Sequence, residues 1–307
     1  MGKIAFVFPG QGAQYTGMGK EFYDTYEEAR QIWKLAGDAL GQPLEKLVFE
    51  GNEQLNLTEY TQIAILTVEV AALTVLESKG LFPDVCAGLS LGEYGALAAG
   101  KVMKLPDLFR VIRSRGMFMQ EAYPEGGGMA AVLGMDAAGI EGICDQIPGI
   151  VSVANYNCPG QIVITGEETA VTEASRRLTE AGAKRCIPLK VSGPFHSVLL
   201  KDAGKKLREV LDRVEIRTPE IPYLSNVTAD YVNGETDIGQ LLEEQISSPV
   251  RFWQSVERMI ADGVDTFVEV GPGKTLSGFI RKINREVAIY QIETPADLEK
   301  VGEELGC

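Results

Sequence analysis

Two residues of this chain have the chemistry of a serine nucleophile and its base. Ser90 stands at the centre of the run GLSLG, 88–92, which fits the pattern G-x-S-x-G, and His196 is the one histidine in 307 residues. A serine hydroxyl is a weak nucleophile at neutral pH unless a neighbouring base, usually histidine, takes its proton during the attack. If an imidazole activates Ser90, that imidazole has to belong to His196.

The segments around Ser90 predict a strand, a sharp turn and a helix, which is the order of a nucleophile elbow. The run DVCAGLS, 84–90, is a short apolar strand, and LGEYGALAAG, 91–100, has the Leu, Tyr and Ala content of a helix. The first strand is predicted in IAFVFPG, 4–10, and a glycine-rich loop follows it. Amide hydrogens from the helix start and from this loop could together stabilise an oxyanion.

The segment 59–78 has apolar residues at helical spacing and predicts a core helix. Its longest apolar stretch, 63–76, is interrupted by Thr67, Glu69 and Thr74 and is shorter than the roughly 20 residues that span a bilayer. We therefore expect no transmembrane helix and no membrane partner. The N-terminal run MGKIAFVFPG lacks a cleavable signal pattern, and we expect a cytoplasmic protein.

From 126 to 190 the pattern predicts strand, helix, strand, strand, helix, strand, the order of a ferredoxin-like unit. We expect an α/β fold in which a large α/β-hydrolase-like domain, 1–124 and 193–307, has a parallel sheet and the elbow. A small ferredoxin-like α+β domain, 125–192, is inserted between hinges at 125–128 and 191–194. His196 follows the second hinge and should face the cleft between the domains, where substrate sites tend to form.

Charge and cysteine content exclude several other classes of protein. A net charge of −14 argues against a nucleic-acid partner, since binding phosphates requires a basic surface. We attribute the glycosylation sequons at Asn56 and Asn226 to chance. No C-x-x-C spacing is present, so we expect reduced structural thiols and no metal site; the cysteines are Cys86, Cys144, Cys158, Cys186 and Cys307.

Seven ordered blocks carry a family resemblance over nearly the whole chain. They are FPGQGAQ (8–14), GLSLGEY (88–94), RSRGMFMQEA (113–122), GPFHS (193–197), SNVTA (225–229), SPVRFWQSV (248–256) and EVGPGKTLSG (269–278). Together they resemble the malonyl-CoA:acyl carrier protein transacylases of fatty acid synthesis. Acyltransferase domains of polyketide synthases share the pattern.

The resemblance implies a role for each of several residues. Ser90 would be the nucleophile, and His196 the base for the attack and then the acid for the leaving thiol. The backbone amides of Gln11 and Leu91 would form the oxyanion hole. The backbone carbonyl of Gln245, rather than an aspartate, would orient the histidine.

The resemblance also makes Arg115 the residue that binds the malonyl carboxylate, with Arg113 the weaker candidate. A guanidinium forms two parallel bonds to a carboxylate, so malonyl should be preferred over acetyl by at least about 10²-fold. Phe195 resembles the malonyl-selecting residue of related acyltransferases and would disfavour methylmalonyl. The chain departs from the family at Leu89, where a histidine is usual, and this change could alter packing beside Ser90.

These roles imply a ping-pong transfer of malonyl from coenzyme A through Ser90 to the phosphopantetheine thiol of acyl carrier protein, with no cofactor. Basic clusters at 201–208 and 281–285 are a candidate docking surface for an acidic carrier protein.

Three other functions compete with malonyl transfer. One is a serine esterase, thioesterase or lysophospholipase, and another is a polyketide acyltransferase acting in trans. The run GPGKT, 271–275, suggests a nucleotide-binding loop, but Val268 stands where such a loop needs glycine.

Overall fold

Strands of this chain fall into two separate sheets. The computed structural model describes residues 2–51, 53–191 and 193–306, so Met1, Asn52, Ser192 of the predicted second hinge and Cys307 lie outside the described residues. The strands are β1 (Lys3–Phe8), β2 (Val85–Gly88), β3 (Gly127–Leu133), β4 (Val151–Cys158), β5 (Gln161–Glu167), β6 (Arg185–Pro188), β7 (Val264–Val270) and β8 (Ala288–Ile292).

The α-helices cover both sheets and also pack on one another. They are α1 (Lys20–Thr25), α2 (Glu27–Leu40), α3 (Leu44–Phe49), α4 (Thr58–Ser78), α5 (Glu93–Ala99), α6 (Leu105–Ala122), α7 (Ala137–Cys144), α8 (Glu168–Glu180), α9 (Lys201–Leu211), α10 (Ile238–Gln245), α11 (Phe252–Ala261), α12 (Thr275–Ile283) and α13 (Pro295–Leu305).

The larger part of the chain is built on a parallel sheet. In the described residues its strand order is β2-β1-β7-β8, and every neighbouring pair is parallel. The central strands β1 and β7 are buried over most of their length, as expected of parallel strands covered on both faces. The carboxyl ends of β1 and β2 lie side by side, with Phe8 paired to Gly88. The loops that follow these two ends are therefore neighbours.

Helix α4 confirms the predicted core helix, with bounds one residue wider than the predicted 59–78. It is 21 residues long and, by length and composition alone, could span a membrane. Thr67 and Thr74 do not interrupt it, because their hydroxyls donate to the carbonyls of Ile63 and Val70, four residues earlier. The helix packs against α2 and α6, and most of its apolar surface is buried inside the protein.

The turn after β2 has the strained geometry that an elbow requires. Ser90 has a φ of 55°, in the left-handed region that non-glycine residues rarely adopt. A short 3-10 turn, Ser90–Gly92, then leads into α5. The turn is so tight that a Cβ on Gly88 would lie 1.9 Å from the carbonyl carbon of Gly92, and one on Gly92 would lie 2.0 Å from the Phe8 oxygen. The predicted sequence of strand, serine and helix is confirmed.

The smaller sheet is antiparallel and lies between α6 and α9 in the chain. The predicted order of strands and helices is confirmed as β3-α7-β4-β5-α8-β6, and the spatial order is β4-β5-β3-β6. The last strand is shorter than expected and ends at Pro188. Strand β4 also contacts α11 and α12 of the larger part, and the Tyr156 amide donates to the Val250 carbonyl. The small sheet therefore packs against helices of the larger part.

Candidate active site

Ser90 and His196 meet although 106 positions separate them in the chain. The Ser90 Oγ lies 2.7 Å from the His196 Nε2, within hydrogen-bond distance. His196 has a φ of 61°, so both residues of the pair are held in the left-handed region. Non-glycine residues in this region cost on the order of 1–3 kcal/mol and persist only where the surrounding structure holds them. The surrounding structure therefore holds the backbone of both Ser90 and His196 in a strained conformation.

The other ring nitrogen of His196 faces a backbone carbonyl. Its Nδ1 lies 2.8 Å from the Gln245 oxygen, at the end of α10. A carbonyl only accepts, so Nδ1 carries the proton and Nε2 is left free to accept one from Ser90. Burial and the nearby Arg115 charge lower the pKa of His196 to about 4. The imidazole is therefore neutral at pH 7, the state that a base requires.

Arg115 lies on α6, and its guanidinium reaches the Ser90 hydroxyl. It is fully buried, and its Nη2 donates to the Ser90 Oγ at 3.1 Å and to the Gln245 Oε1 at 2.9 Å. Its Nη1 donates to the Gln62 Oε1 at 2.7 Å. Arg113, the weaker sequence candidate, points elsewhere and pairs with Glu59 at 2.8 Å. Arg115 is thus the arginine beside the serine.

A buried polar cluster behind Ser90 contains residues that the sequence did not single out. The Asn226 side chain accepts from the Ser90 amide at 2.7 Å and donates to the Gly88 carbonyl at 2.6 Å. Glu93 accepts from the Gln245 Nε2 at 2.6 Å and from the Asn226 amide at 3.1 Å. Asn226 is 1% exposed, which leaves no access for a glycan at that sequon. Its place in the block SNVTA was the one signal that could have found it.

Gln11 and Leu91 both line the cavity, as Ser90 does. Gln11 belongs to the loop after β1 and Leu91 to the 3-10 turn after Ser90. Among the described residues, no acceptor takes a hydrogen bond from either backbone amide. Gln11 is held from its side chain, whose Nε2 donates to the Thr58 Oγ1. Two amides with free donor capacity therefore belong to residues that line the cavity with Ser90.

The cavity has a volume of about 240 Å³, and both sheets contribute to its wall. Phe195 is 6% exposed and lines it beside His196. Leu89 also lines it and takes the place of the expected family histidine; its side chain packs against Gly10. Further lining residues, absent from the sequence predictions, are Gln62, Met119, Met129, Asn155, Asn157 and Val163.

No group of three or more His, Cys, Asp or Glu that could hold a metal ion occurs in the part of the chain that the structure describes. Cys86, Cys144, Cys158 and Cys186 are free thiols. Burial raises the pKa of Cys144 to about 11, so this thiol is protonated at neutral pH.

A serine at a strained elbow, an imidazole held by a carbonyl, and a buried guanidinium together define a site for covalent transfer of an acidic acyl group. Residues 5–294 match the family described as "Acyl transferase domain". A malonyl CoA-acyl carrier protein transacylase of Bacillus subtilis (strain 168) is 47% identical over 97% of this chain and 96% of its own.

Solved structures agree with this match. A malonyl CoA-acyl carrier protein transacylase from Clostridium perfringens superposes with a TM-score of 0.96 at 44% identity, covering 99% of this chain and 97% of its own. A malonyl-transacylase in complex with a type II PKS acyl-carrier protein superposes with a TM-score of 0.96 at 38% identity, covering 98% and 99%. The chain therefore belongs to the acyl transferase domain family, and within it to the malonyl CoA-acyl carrier protein transacylases. The resemblance drawn from the seven sequence blocks is confirmed.

Proposed function

We propose that the chain moves the malonyl group of malonyl-CoA to the phosphopantetheine thiol of acyl carrier protein, in fatty acid synthesis. One observation carries this proposal: the Arg115 guanidinium lies 3.1 Å from the Ser90 hydroxyl, which itself lies 2.7 Å from the imidazole. A buried cation beside a nucleophile favours an acyl group that bears a carboxylate. The named relatives of this chain act on that kind of group.

In the first half-reaction, the Ser90 Oγ attacks the thioester carbonyl and the His196 Nε2 takes the hydroxyl proton. The carbonyl oxygen becomes an oxyanion, and the amides of Gln11 and Leu91 donate to it. Each such donor typically contributes on the order of 3 kcal/mol. The carbon–sulfur bond then breaks, the imidazolium returns its proton to the coenzyme A sulfur, and malonyl remains as an ester on Ser90.

In the second half-reaction, the carrier-protein thiol attacks this ester and His196 takes the thiol proton. The bond to the Ser90 Oγ breaks, and the imidazolium protonates that oxygen. The serine and the neutral histidine are restored, so the cycle balances without a redox step. We propose that malonyl-CoA and the holo carrier protein are the two substrates and that no metal or cofactor takes part.

Arg115 is proposed to hold the malonyl carboxylate. Its Nη2 donates to the Ser90 Oγ in the structure, and a bound carboxylate would take over this donor, together with a second N–H of the fork. Binding would then release the serine hydroxyl from the cation as it delivers the acyl group. Acetyl-CoA cannot make this exchange, and Phe195 is proposed to crowd the C2 position against a methyl branch.

The finer description of the fold is also a proposal. The small sheet combines the β-α-β-β-α-β order with the spatial order β4-β5-β3-β6, which supports a ferredoxin-like domain over 125–192. The parallel sheet with its elbow supports a large α/β-hydrolase-like domain formed by 1–124 and 193–307. Gly126, with a φ of 78°, immediately precedes β3 at one boundary between them.

The partner and location follow from the same reaction. An acidic carrier protein needs basic contacts, and of the two proposed clusters 281–285 is the better candidate. In 201–208, by contrast, Lys205 is paired with Asp202, and Arg208 with Asp212 and Asp237. A cytoplasmic location is proposed because α4, the one candidate span in the described residues, is a buried core helix.

Radiolabelled malonyl-CoA tests the function directly. The wild-type chain should hold label in an acid-stable ester and pass it to holo carrier protein, whereas an esterase or thioesterase would release it to water. Ser90→Ala should abolish labelling, and label that persists in this variant would overturn the assignment of the nucleophile. Equal transfer to fatty-acid and type II polyketide carrier proteins would extend the function to the trans-acting polyketide role.

A further inference from the structure

Glu93 is a fully buried carboxylate that does not reach the cavity. It is the first residue of α5, three positions after Ser90, and it is 0% exposed. A charged side chain is almost never fully buried unless it is paired. Burial raises its pKa to about 7, against the lowering effect of Gln245, Asn226 and Arg115. The chain thus keeps an energetically costly group directly behind its reactive serine.

One oxygen of Glu93 accepts both of its hydrogen bonds. The Oε2 takes the Gln245 Nε2 at 2.6 Å and the Asn226 backbone amide at 3.1 Å, while the Oε1 has no hydrogen-bond partner among the described residues. Each donor belongs to a different segment of the chain. Glu93 therefore joins the end of α10 to the loop after 224, from its position at the start of α5.

The direction of the Gln245 amide follows from these partners. Glu93 and the Ser90 carbonyl both accept from the Nε2, and the Arg115 Nη2 donates to the Oε1. If the amide turned over, its NH2 group would face the guanidinium and its oxygen would face a carboxylate and a carbonyl. Every one of these contacts would then pair two donors or two acceptors. Glu93 thus fixes which end of Gln245 meets Arg115.

Gln245 passes this constraint to both functional side chains. Its side-chain oxygen positions Arg115, and its backbone carbonyl holds the His196 Nδ1 at 2.8 Å. Asn226 connects Glu93 to the serine. Its backbone amide donates to Glu93, and its side chain accepts from the Ser90 amide at 2.7 Å. Ser90, His196 and Arg115, the three groups of the proposed reaction, are each two hydrogen bonds away from the same carboxylate oxygen.

We propose that Glu93 is a positioning residue that sets the direction of the Gln245 amide and thereby aims the Arg115 fork at the acyl carboxylate. It acts through other residues and does not touch the substrate. This inference rests on the proposed malonyl transfer. Misplacing a reacting group by about 1 Å can cost about 100-fold in rate, so loss of the acceptor should be measurable.

The test compares four variants in the acylation of Ser90 by malonyl-CoA and by acetyl-CoA. Glu93→Ala and Glu93→Met remove the acceptor, and the methionine fills the space so that a cavity does not decide the result. Glu93→Gln keeps one carbonyl oxygen that can accept both hydrogen bonds. Glu69→Gln is the matched control, because Glu69 is also fully buried but its carboxylate oxygens have no partner among the described residues.

We expect Glu93→Ala and Glu93→Met to lower kcat/KM for malonyl-CoA by about 100-fold and to lower it less for acetyl-CoA. Glu93→Gln should return to within about fivefold of wild type, and Glu69→Gln to within about twofold. A purely structural role would move both substrates together, in step with the melting temperature.

Three results would overturn the inference: a folded Glu93→Met enzyme within about threefold of wild type, an equal loss for both substrates, or a Glu93→Gln enzyme as impaired as Glu93→Met. Failure of the proposed function itself is distinguishable, because the wild-type chain would then not acquire label from malonyl-CoA.

Discussion

The two sides of the cavity are built differently. The side that belongs to the parallel sheet and its helices carries Ser90, Arg115, His196 and Gln245 in one hydrogen-bonded cluster. The side that belongs to the small antiparallel sheet contributes mainly apolar and amide side chains, and the buried Asn157 Oδ1 has no hydrogen-bond partner among the described residues. On one side the reacting side chains are hydrogen-bonded to one another before any ligand arrives, and on the other side a buried amide oxygen has unused capacity.

We infer from this difference that the parallel-sheet side aligns the reacting groups and that the small-sheet side binds the substrate. Groups that must be aligned to a fraction of an ångström are held by mutual hydrogen bonds and by strained backbone at Ser90 and His196. A buried polar atom with no partner costs free energy that a bound ligand can recover. We therefore expect changes on the parallel-sheet side to act mainly on kcat and selectivity, and changes on the small-sheet side to act mainly on KM.

The largest expected effect comes from the base. His196→Ala leaves the Ser90 hydroxyl without an acceptor for its proton, and kcat should fall by about 10³-fold or more. Stopped-flow or quench measurement of coenzyme A release reports this step. A loss of less than about tenfold, in a variant with unchanged melting temperature, would mean that another group takes the proton.

Arg115 should control which acyl group is accepted. Arg115→Ala should lower the ratio of kcat/KM for malonyl-CoA over acetyl-CoA by about 10²-fold, and Arg115→Lys should recover only part of it because an ammonium cannot form the two parallel bonds. Competition between the two thioesters in one assay measures the ratio directly. An unchanged ratio would place the carboxylate elsewhere in the cavity.

Substitutions on the small-sheet side should have a weaker effect, and this effect should be on KM rather than on kcat or selectivity. Asn157→Ala removes an amide that we expect to bond the thioester substrate, and KM for malonyl-CoA should rise by about tenfold with kcat nearly unchanged. Thr165→Val is the matched control, since the Thr165 hydroxyl is also buried without a partner among the described residues but does not line the cavity. Equal changes in both variants would indicate a packing effect only.

The smallest effect is expected from pH. The His196 pKa is lowered to about 4 from the usual histidine value of 6.5. The imidazole therefore stays neutral, and able to accept a proton, as the pH falls from 8 to well below 6.5. Glu93, whose pKa is raised to about 7, takes up a proton in this range, so the test uses the Glu93→Gln variant, in which the rate of Ser90 acylation should change by less than about twofold from pH 8 to 5.5. A loss of activity centred near pH 6.5 in this variant would show that the histidine titrates as an exposed one.

The local part of this site was predictable from the sequence. The elbow depends on residues within a few positions of Ser90, and the glycines at 88 and 92 identify it because no other residue fits so tight a turn. The loop that carries Gln11 follows a recognisable buried strand. The pairing of His196 with Gln245, by contrast, came from the family resemblance.

The cluster behind Ser90 was not predictable in the same way. Its hydrogen bonds join Glu93 to positions 133 and 152 residues away, and no spacing rule connects them. The polar residues buried in α4 are a related case. A threonine or glutamate in an apolar run reads as an interruption, but a hydroxyl can bond the backbone of its own helix, and Glu69 is buried in the core despite its charge.

The amino-acid sequence by itself determined the candidates for the reacting groups, their family and the two kinds of sheet, because turns, apolar periodicity and ordered blocks are local properties of the chain. Only the tertiary structure decided that the Arg115 guanidinium touches the Ser90 hydroxyl and that Glu93 lies behind both. Hydrogen bonds between distant segments depend on how α5, α6 and α10 pack together. That packing is set by the whole core, and no single segment encodes it.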